Sequence, residues 1–479
     1  MAASASEGVP SQIRLVSINK NGGNRKVFEW PGKQRDDNNP QRNHATSRLS
    51  LRSLQQQVVS GLRSTFLPVG FPSTTPPGYL SYAAWSWIQD ISTQLRSVIA
   101  TQRILEGVGV GREGATALSA LFNYLVRDGF GMAATLLFTY AASSRFRTDC
   151  KRWRIFADVS VDVGITLEVT ATLLPPVFFL PMICIGNVFK AMCGVAAGAT
   201  GGSINLHWSK GSDISDINAK FGAQHTVTAA LGLVFAGLFA RSVDRIAPIS
   251  LWTMYILLTS LHIFANMRCM RLICFDYLNT IRMDMILDNA FANDASVQEM
   301  STPQEIARQE PLWFLLPSIR RRLRRVKSSA LRPCPINFGI SYDDFYKLSS
   351  NSAVEESTRS WQQYAIDGTA RGTVKDAYLL SSGYNGSTLS VNVCLLSSAT
   401  PIQQTKAYFH AKLLRRKLQK KLDKESTIAP DTLQDIEQDT EKQLEASWND
   451  FVARAIDSGW DLNRSELQSS GYEIEIERV

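Results

Sequence analysis

The chain is short of the residues that metal, disulfide and nucleophile chemistry require. Its five histidines, His44, His207, His225, His262 and His410, include no helical pair with a third ligand close by, which argues against a metal site. Its seven cysteines (Cys150, Cys184, Cys193, Cys269, Cys274, Cys334 and Cys394) form no Cys-x-x-Cys pair. An odd, scattered set does not make a secreted disulfide framework, so the thiols are expected to be small buried groups in a reducing compartment. There is no Gly-x-Ser-x-Gly elbow and no Cys/His pair in a recognisable setting, so catalysis is not expected. The start, MAASASEGVP, has no continuous apolar stretch, so a secretory signal is not expected.

Charge is also missing where it matters most. Between about Gly129 and Tyr277 the chain is strongly apolar. Phe221–Ala240 holds twenty residues in which only His225 can carry charge, and Ile246–Met267 holds twenty-two in which only His262 can. A membrane-spanning helix needs roughly 20 apolar residues. A mean hydropathy of −0.09 confines that character to one part of the chain. The net charge of +8 over 479 residues suits an anionic lipid surface.

The organisation follows from these contrasts. Residues 1–75 are polar, rich in Asn, Gly, Arg and Ser, and read as a disordered tail. Ten basic against four acidic side chains in residues 1–89 give that tail a mild likeness to a transit peptide. A helical core over 82–310 follows, with a helix over Tyr82–Ile104, a glycine turn at Gly107–Gly114 and a helix from Ala115 to Val126. That helix is expected to break at Asp128-Gly129-Phe130-Gly131. Arg145–Arg154 reads as a basic connector, Ala157–Leu174 as a helix ended by Pro175-Pro176, and Val177–Phe189 as its resumption. The small residues of Ala191–Ser203 suggest close helix–helix approach. Basic loops place the crossings at three to five, depending on whether residues 191–206 cross.

The region 328–479 reads as a small α+β domain. Asp376–Leu380 and Thr388–Leu396 are strands around a turn at Ser-Gly-Tyr-Asn-Gly, and helices cover Thr400–Lys424 and Asp431–Ser458. The fold class is therefore mainly α: a multi-helix, transmembrane core followed by a small α+β C-terminal domain.

Two motifs carry little chemistry. Gly109-x-Gly111-x-x-Gly114 follows a helical segment, where a dinucleotide site needs a buried strand, so a tight turn is the better reading. Ile319–Lys327 (IRRRLRRVK) has six basic residues in nine but no interleaved aromatics, so nucleic acid is not expected as a partner.

A polar seam is more informative. Asp158 and Asp162 are four apart on one helix face, with Glu168 about 120° off it. Charges at membrane depth need partners or water. Arg154 and Lys190 are the candidate counter-ions, Lys190 the more natural, and a functional pathway and a structural ion network both remain open.

Several fragments carry a family likeness. KRWRIFADVSVDVGITLEV, GNVFKAMCGVAAGATGGSINLHW and DISDINAKFGAQHTV occur in order, supported by NYLVRDGFG, ANMRCMRLICFDYLN and STPQEIA. Across about Gly107–Glu310 the sequence resembles the Root UV-B Sensitive family. The resemblance implies a membrane or plastid location, with endomembrane as the alternative, and roles in plant development, auxin distribution and vitamin B6 homeostasis. It implies no catalytic set. Family-typical positions are Arg112, Asp128, Lys151, Arg152, Trp153, Asp158, Asp162, Glu168, Asn187, Lys190, Asn205, Lys220 and Gln224. The chain departs from the pattern with His225 in place of an acid and Arg127 in place of Lys.

The expected function is thus non-enzymatic and membrane-associated, with the lipid bilayer as partner. No cofactor is established, and pyridoxal phosphate is the candidate ligand, its phosphate meeting Lys190 or the basic loops. Two other classes fit the same residues. A carrier for a small anion or a lipid would use the Asp158/Asp162/Glu168/Lys190 seam, and liposome flux indifferent to Lys190→Ala with Asp162→Asn argues against it. A soluble scaffold would recruit a sister family member through the small-residue region.

Overall fold

In the computed structural model the residues described are 13–18, 25–30, 51–109, 117–211, 213–240, 248–292, 300–313, 334–349, 377–386, 388–425 and 427–475. Arg112, most of the Gly109–Gly114 motif, the basic run Ile319–Lys327 and residues 1–12, 19–24 and 31–50 of the proposed transit segment lie outside them.

Two short strands, β1 (Ile13–Ile18) and β2 (Arg25–Trp30), pair antiparallel with Ile13 opposite Trp30. Eight helices and a strand follow: α1 (Leu51–Phe66), α2 (Tyr79–Val108), α3 (Ala117–Ala142), α4 (Cys150–Thr170), α5 (Phe179–Trp208), α6 (Ile214–Ala240), α7 (Pro248–Leu272), β3 (Tyr277–Asn279) and α8 (Thr280–Ala292). The rest comprises α9 (Pro303–Gln309), β4 (Ile336–Phe338), α10 (Tyr342–Leu348), β5 (Tyr378–Asn385), β6 (Thr388–Leu395), α11 (Pro401–Leu422), α12 (Pro430–Asp457) and β7 (Asp461–Glu466). The mainly helical reading, with small sheets toward the C-terminal end, holds.

Several boundaries differ from the sequence reading, each for a physical reason. Helix α1 and strands β1 and β2 lie inside the stretch read as disordered. In α1, Leu51, Leu54, Val58, Leu62 and Phe66 recur at helical spacing despite the polar composition. Helix α3 runs unbroken through Asp128-Gly129-Phe130-Gly131. A Cβ at Gly131 would come within 2.4 Å of Asn187 Nδ2, so tertiary packing against α5 uses this glycine and overrides its poor helix propensity. The basic connector is half helix, since α4 begins at Cys150. Strand β5 extends to Asn385 and absorbs most of the segment read as a turn.

The small-residue stretch is the largest correction. It is the second half of one 30-residue helix, α5, and not a separate short segment. Nothing lies within 4 Å of a Cβ built at Gly194, Gly198, Gly201 or Gly202. The close approach is made earlier, where α4 and α5 cross: a Cβ at Gly164 would lie 2.6 Å from the Gly186 carbonyl oxygen. With Cys150 Sγ near the Thr200 carbonyl, these contacts set the two helices antiparallel.

The chain divides into two compact units. One combines the described residues of Met1–Arg96 with Ile204–His262; the other combines Ser97–Ser203 with Ile263–Val479. Within the first, Tyr79, Tyr82, Trp208 and Phe221 stack edge-on or tilted at centroid distances of 5.0–6.0 Å. Within the second, α3, α4 and α5 pack through Phe138, Phe146, Trp153, Phe156 and Ala196. Its sheet has the order β4-β6-β5, with β4 parallel and β5 antiparallel to β6. Helices α11 and α12 cover that sheet around Val391, Val393, Leu414, Leu444 and Phe451. Strand β3 pairs parallel with β7.

Among the described residues, two helices are long and apolar enough to cross a membrane, Pro176–Trp208 and Ile249–Leu272. The second matches the predicted run Ile246–Met267. The run Phe221–Ala240 lies in α6 and is not one of the two, so the expectation of three to five crossings exceeds this number.

Candidate functional site

The densest electrostatic feature is a buried ion cluster at the start of α4. Lys151 enters it from the first turn of that helix. Its Nζ lies 2.9 Å from Glu310 Oε2, and Arg282 Nη2 of α8 lies 3.2 Å from Glu310 Oε1. The side chains of Lys151, Arg282 and Glu310 are only 2–4% exposed.

The chain folds so that Glu310 has little choice of position. Thr302 and Glu305 cap α9 reciprocally, and Pro303 occupies its first turn. At the other end the Glu310 N–H donates to the Ile306 carbonyl at 2.7 Å. Arg271, at the end of α7, donates to the carbonyls of Arg308 at 2.7 Å and Glu310 at 2.9 Å. Arg152 donates to the Pro311 carbonyl at 3.0 Å. Backbone carbonyls at this helix end, which have no partner in the helix itself, thus take guanidinium donors.

Aromatic faces complete the cluster. The Arg282 guanidinium lies 5.0 Å from the ring centres of both Phe275 and Tyr277 and donates to the Tyr277 carbonyl at 3.0 Å. Arg464 of β7 lies 4.1 Å from the Tyr277 ring centre. Such cation–π contacts strengthen as water is excluded.

The protonation states follow from burial and partners. Burial opposes charge on Glu310, but Arg282 and Lys151 outweigh it and hold the carboxyl at about 2. Burial lowers Lys151 despite the nearby Glu310. Burial pushes the Cys150 thiol and the Tyr277 phenol up to about 12, so neither is a ready nucleophile or base. Closed around one carboxylate shared by two cations, the cluster locks helix ends together; it does not offer a reactive group to solvent.

The predicted site residues do not converge on one place. Glu168 and Lys190 meet as expected, with Nζ 2.9 and 3.0 Å from the two carboxylate oxygens and Glu168 1% exposed. Arg154 is 3.7 Å from Asp158, and Asp162 is buried. Asn187 donates to the Arg127 carbonyl at 3.0 Å, and Asp128 pairs with Arg127 on an exposed part of α3. Trp153 stacks among Phe138, Phe146 and Phe156.

Asn205, Lys220 and Gln224 belong to the other compact unit. Asn205 donates to Asn218 at 2.7 Å, Lys220 to the Ser64 carbonyl at 2.6 Å, and Gln224 to the Phe66 carbonyl at 2.8 Å. The last two fasten the end of α1. His225 is 65% exposed and 3.4 Å from Asp90. The sequence reading missed Arg282 and Glu310; the signal was an Arg beside Ile281 and Met283 in YLNTIRMDMI and an acid just past the STPQEIA helix start. No group of three His, Cys, Asp or Glu that could hold a metal ion occurs among the described residues.

Comparison with known proteins agrees with this layout. Residues 52–294 match a vitamin B6 photo-protection and homoeostasis domain, and residues 365–475 match the C-terminal region of root UVB sensitive proteins. Protein root UVB sensitive 3 of Arabidopsis thaliana is 27% identical over 74% of this chain and 75% of its own length. RUS family member 1 of Dictyostelium discoideum is 32% identical over 59% of this chain and 50% of its own. Protein root UVB sensitive 2, chloroplastic, of Arabidopsis thaliana is 30% identical over 55% of this chain and 59% of its own. The chain therefore spans only about half to three-fifths of the latter two relatives. No solved structure matches. With the domain match covering half of its length, the chain belongs to the root UVB sensitive family.

Proposed function

We propose that the chain acts at a lipid bilayer as a non-enzymatic component of vitamin B6 homeostasis. The observation that carries this reading is the apolar surface of the helices. Within α3, Leu118, Leu136 and Leu137 are 70–75% exposed, and Leu121, Phe122, Leu125 and Met132 share in the exposure. The apolar windows of Pro176–Trp208 and Ile249–Leu272 are only 22% and 28% buried. A water-soluble monomer rarely carries so much contiguous apolar surface. A bilayer removes the penalty, because helices satisfy their own backbone in lipid.

The vitamin B6 role draws on the matched domain, and a plastid bilayer draws on the relative named chloroplastic. Pyridoxal phosphate is the candidate ligand, although Lys190 already spends its charge on Glu168. Alkaline carbonate extraction of membranes carrying the full chain tests the location. Retention in the pellet is expected, and quantitative release to the supernatant refutes the bilayer reading.

A further inference from the structure

One face of α11 is basic along three turns. Lys412, Arg415, Arg416 and Lys420, followed by Asp423 just beyond the helix, recur so that their side chains share one side. With Asp288 of α8 opposite, they line a surface cavity of about 300 Å³. That is the lower end of the size range of small-ligand sites.

The charges in this groove are unequally committed. Lys412 is held by Asp284 at 2.5 Å and Asp288 at 3.2 Å, and its side chain is 7% exposed. Among the described residues neither Arg415 nor Lys420 has a hydrogen-bond or ion-pair partner. Four cations against Asp288 and Asp423 in the lining, with Asp284 also on Lys412, leave a surplus of one positive charge (4 − 3).

We propose that this groove binds a phosphate monoester, either a free small molecule or a lipid headgroup. A phosphate monoester carries about −1.5 to −2 charge at neutral pH and three acceptor oxygens, enough to meet both Arg415 and Lys420. The planar Arg415 guanidinium suits two of those oxygens at once, and Lys420 supplies a point charge. Lys412, fixed by its aspartates, gives the cavity a positioned floor. The two acids in the lining repel an extended polyanion, so one phosphate fits better than a nucleic-acid strand. The assignment holds whether or not the helical core sits in a membrane, and whether or not vitamin B6 is involved.

The test uses the full chain in detergent. Titration calorimetry with phenyl phosphate and with inorganic phosphate is paired with flotation on phosphatidylcholine vesicles with and without phosphatidic acid. Saturable binding is expected in at least one arm, and the arm that responds distinguishes a free ester from a headgroup. Arg415→Gln with Lys420→Gln removes two cations that have no partner among the described residues and should weaken that binding about tenfold or more, the loss of at least one charge-assisted contact. Lys420→Gln alone repeats the test should the double variant fold poorly. Lys417→Gln removes a cation already paired with Asp439 at 2.6 Å and should leave binding unchanged. Absence of saturable binding in both arms, or equal loss in Lys417→Gln, overturns the proposal.

Discussion

Lys151 Nζ lies 2.9 Å from Glu310 Oε2, joining the first turn of α4 to the residue that follows α9. Because Arg282 holds the other carboxylate oxygen, one acid serves two buried cations. Glu310→Gln leaves both without a counter-charge and should cost about 3–5 kcal/mol, the usual penalty for breaking a buried pair. Lys151→Met should cost less, because Glu310 keeps Arg282 and a buried ammonium is removed. Denaturant unfolding of the three proteins measures the order, and a Lys151→Met loss equal to or larger than that of Glu310→Gln contradicts it.

The same carboxylate should shape acid stability. Its folded value of about 2 lies below the ordinary 4.5, so the folded state holds the charged form more strongly. That stabilisation is complete above about 4.5 and disappears as pH falls toward about 2. Lys151, lowered by burial, works with the opposite sign, since its cost is relieved only in alkali. Unfolding measured at pH 6 and pH 3 should show a steeper loss in the parent than in Glu310→Gln. Identical slopes would remove Glu310 as the source.

Two glycine substitutions should separate a packed crossing from an open helix face. At Gly164 a new Cβ would meet the Gly186 carbonyl at 2.6 Å, backbone that cannot step aside. Gly164→Ala should therefore destabilise by about 1–3 kcal/mol through overpacking. At Gly198 nothing stands within 4 Å, and Gly198→Ala should be neutral or stabilise by up to about 1 kcal/mol through helix propensity. Thermal unfolding in detergent reads both, and a Gly198→Ala penalty matching that of Gly164→Ala would falsify the crossing as assigned.

Local patterns were legible where they involved spacing within one helix. The Arg154–Asp158 register on α4, the stop at Pro175-Pro176, the capping sequence Ser301–Glu305 and the basic α11 were all visible in the letters. Pairing Glu168 with Lys190 was also legible, because two opposite charges in apolar surroundings need each other. Glu310 was not, since its partners lie 159 and 28 residues away (310 − 151; 310 − 282) and no periodicity links them. Asp128–Gly131 misled because turn chemistry is local, whereas the packing of Gly131 on Asn187 is tertiary. Ala191–Ser203 misled because small residues permit close approach without compelling it.

The interior beneath the sheet of β4, β5 and β6 takes Leu278, Met283, Ile286 and Leu287 from the earlier matched region and Val391, Leu414 and Leu462 from the later one. Sequence comparison sees two modules where the second compact unit builds one shared core. A stop codon just ahead of Leu462 therefore strips apolar cover from residues encoded nearly two hundred codons upstream (462 − 278 = 184). The resulting phenotype reports collapse of that core rather than loss of a detachable appendage.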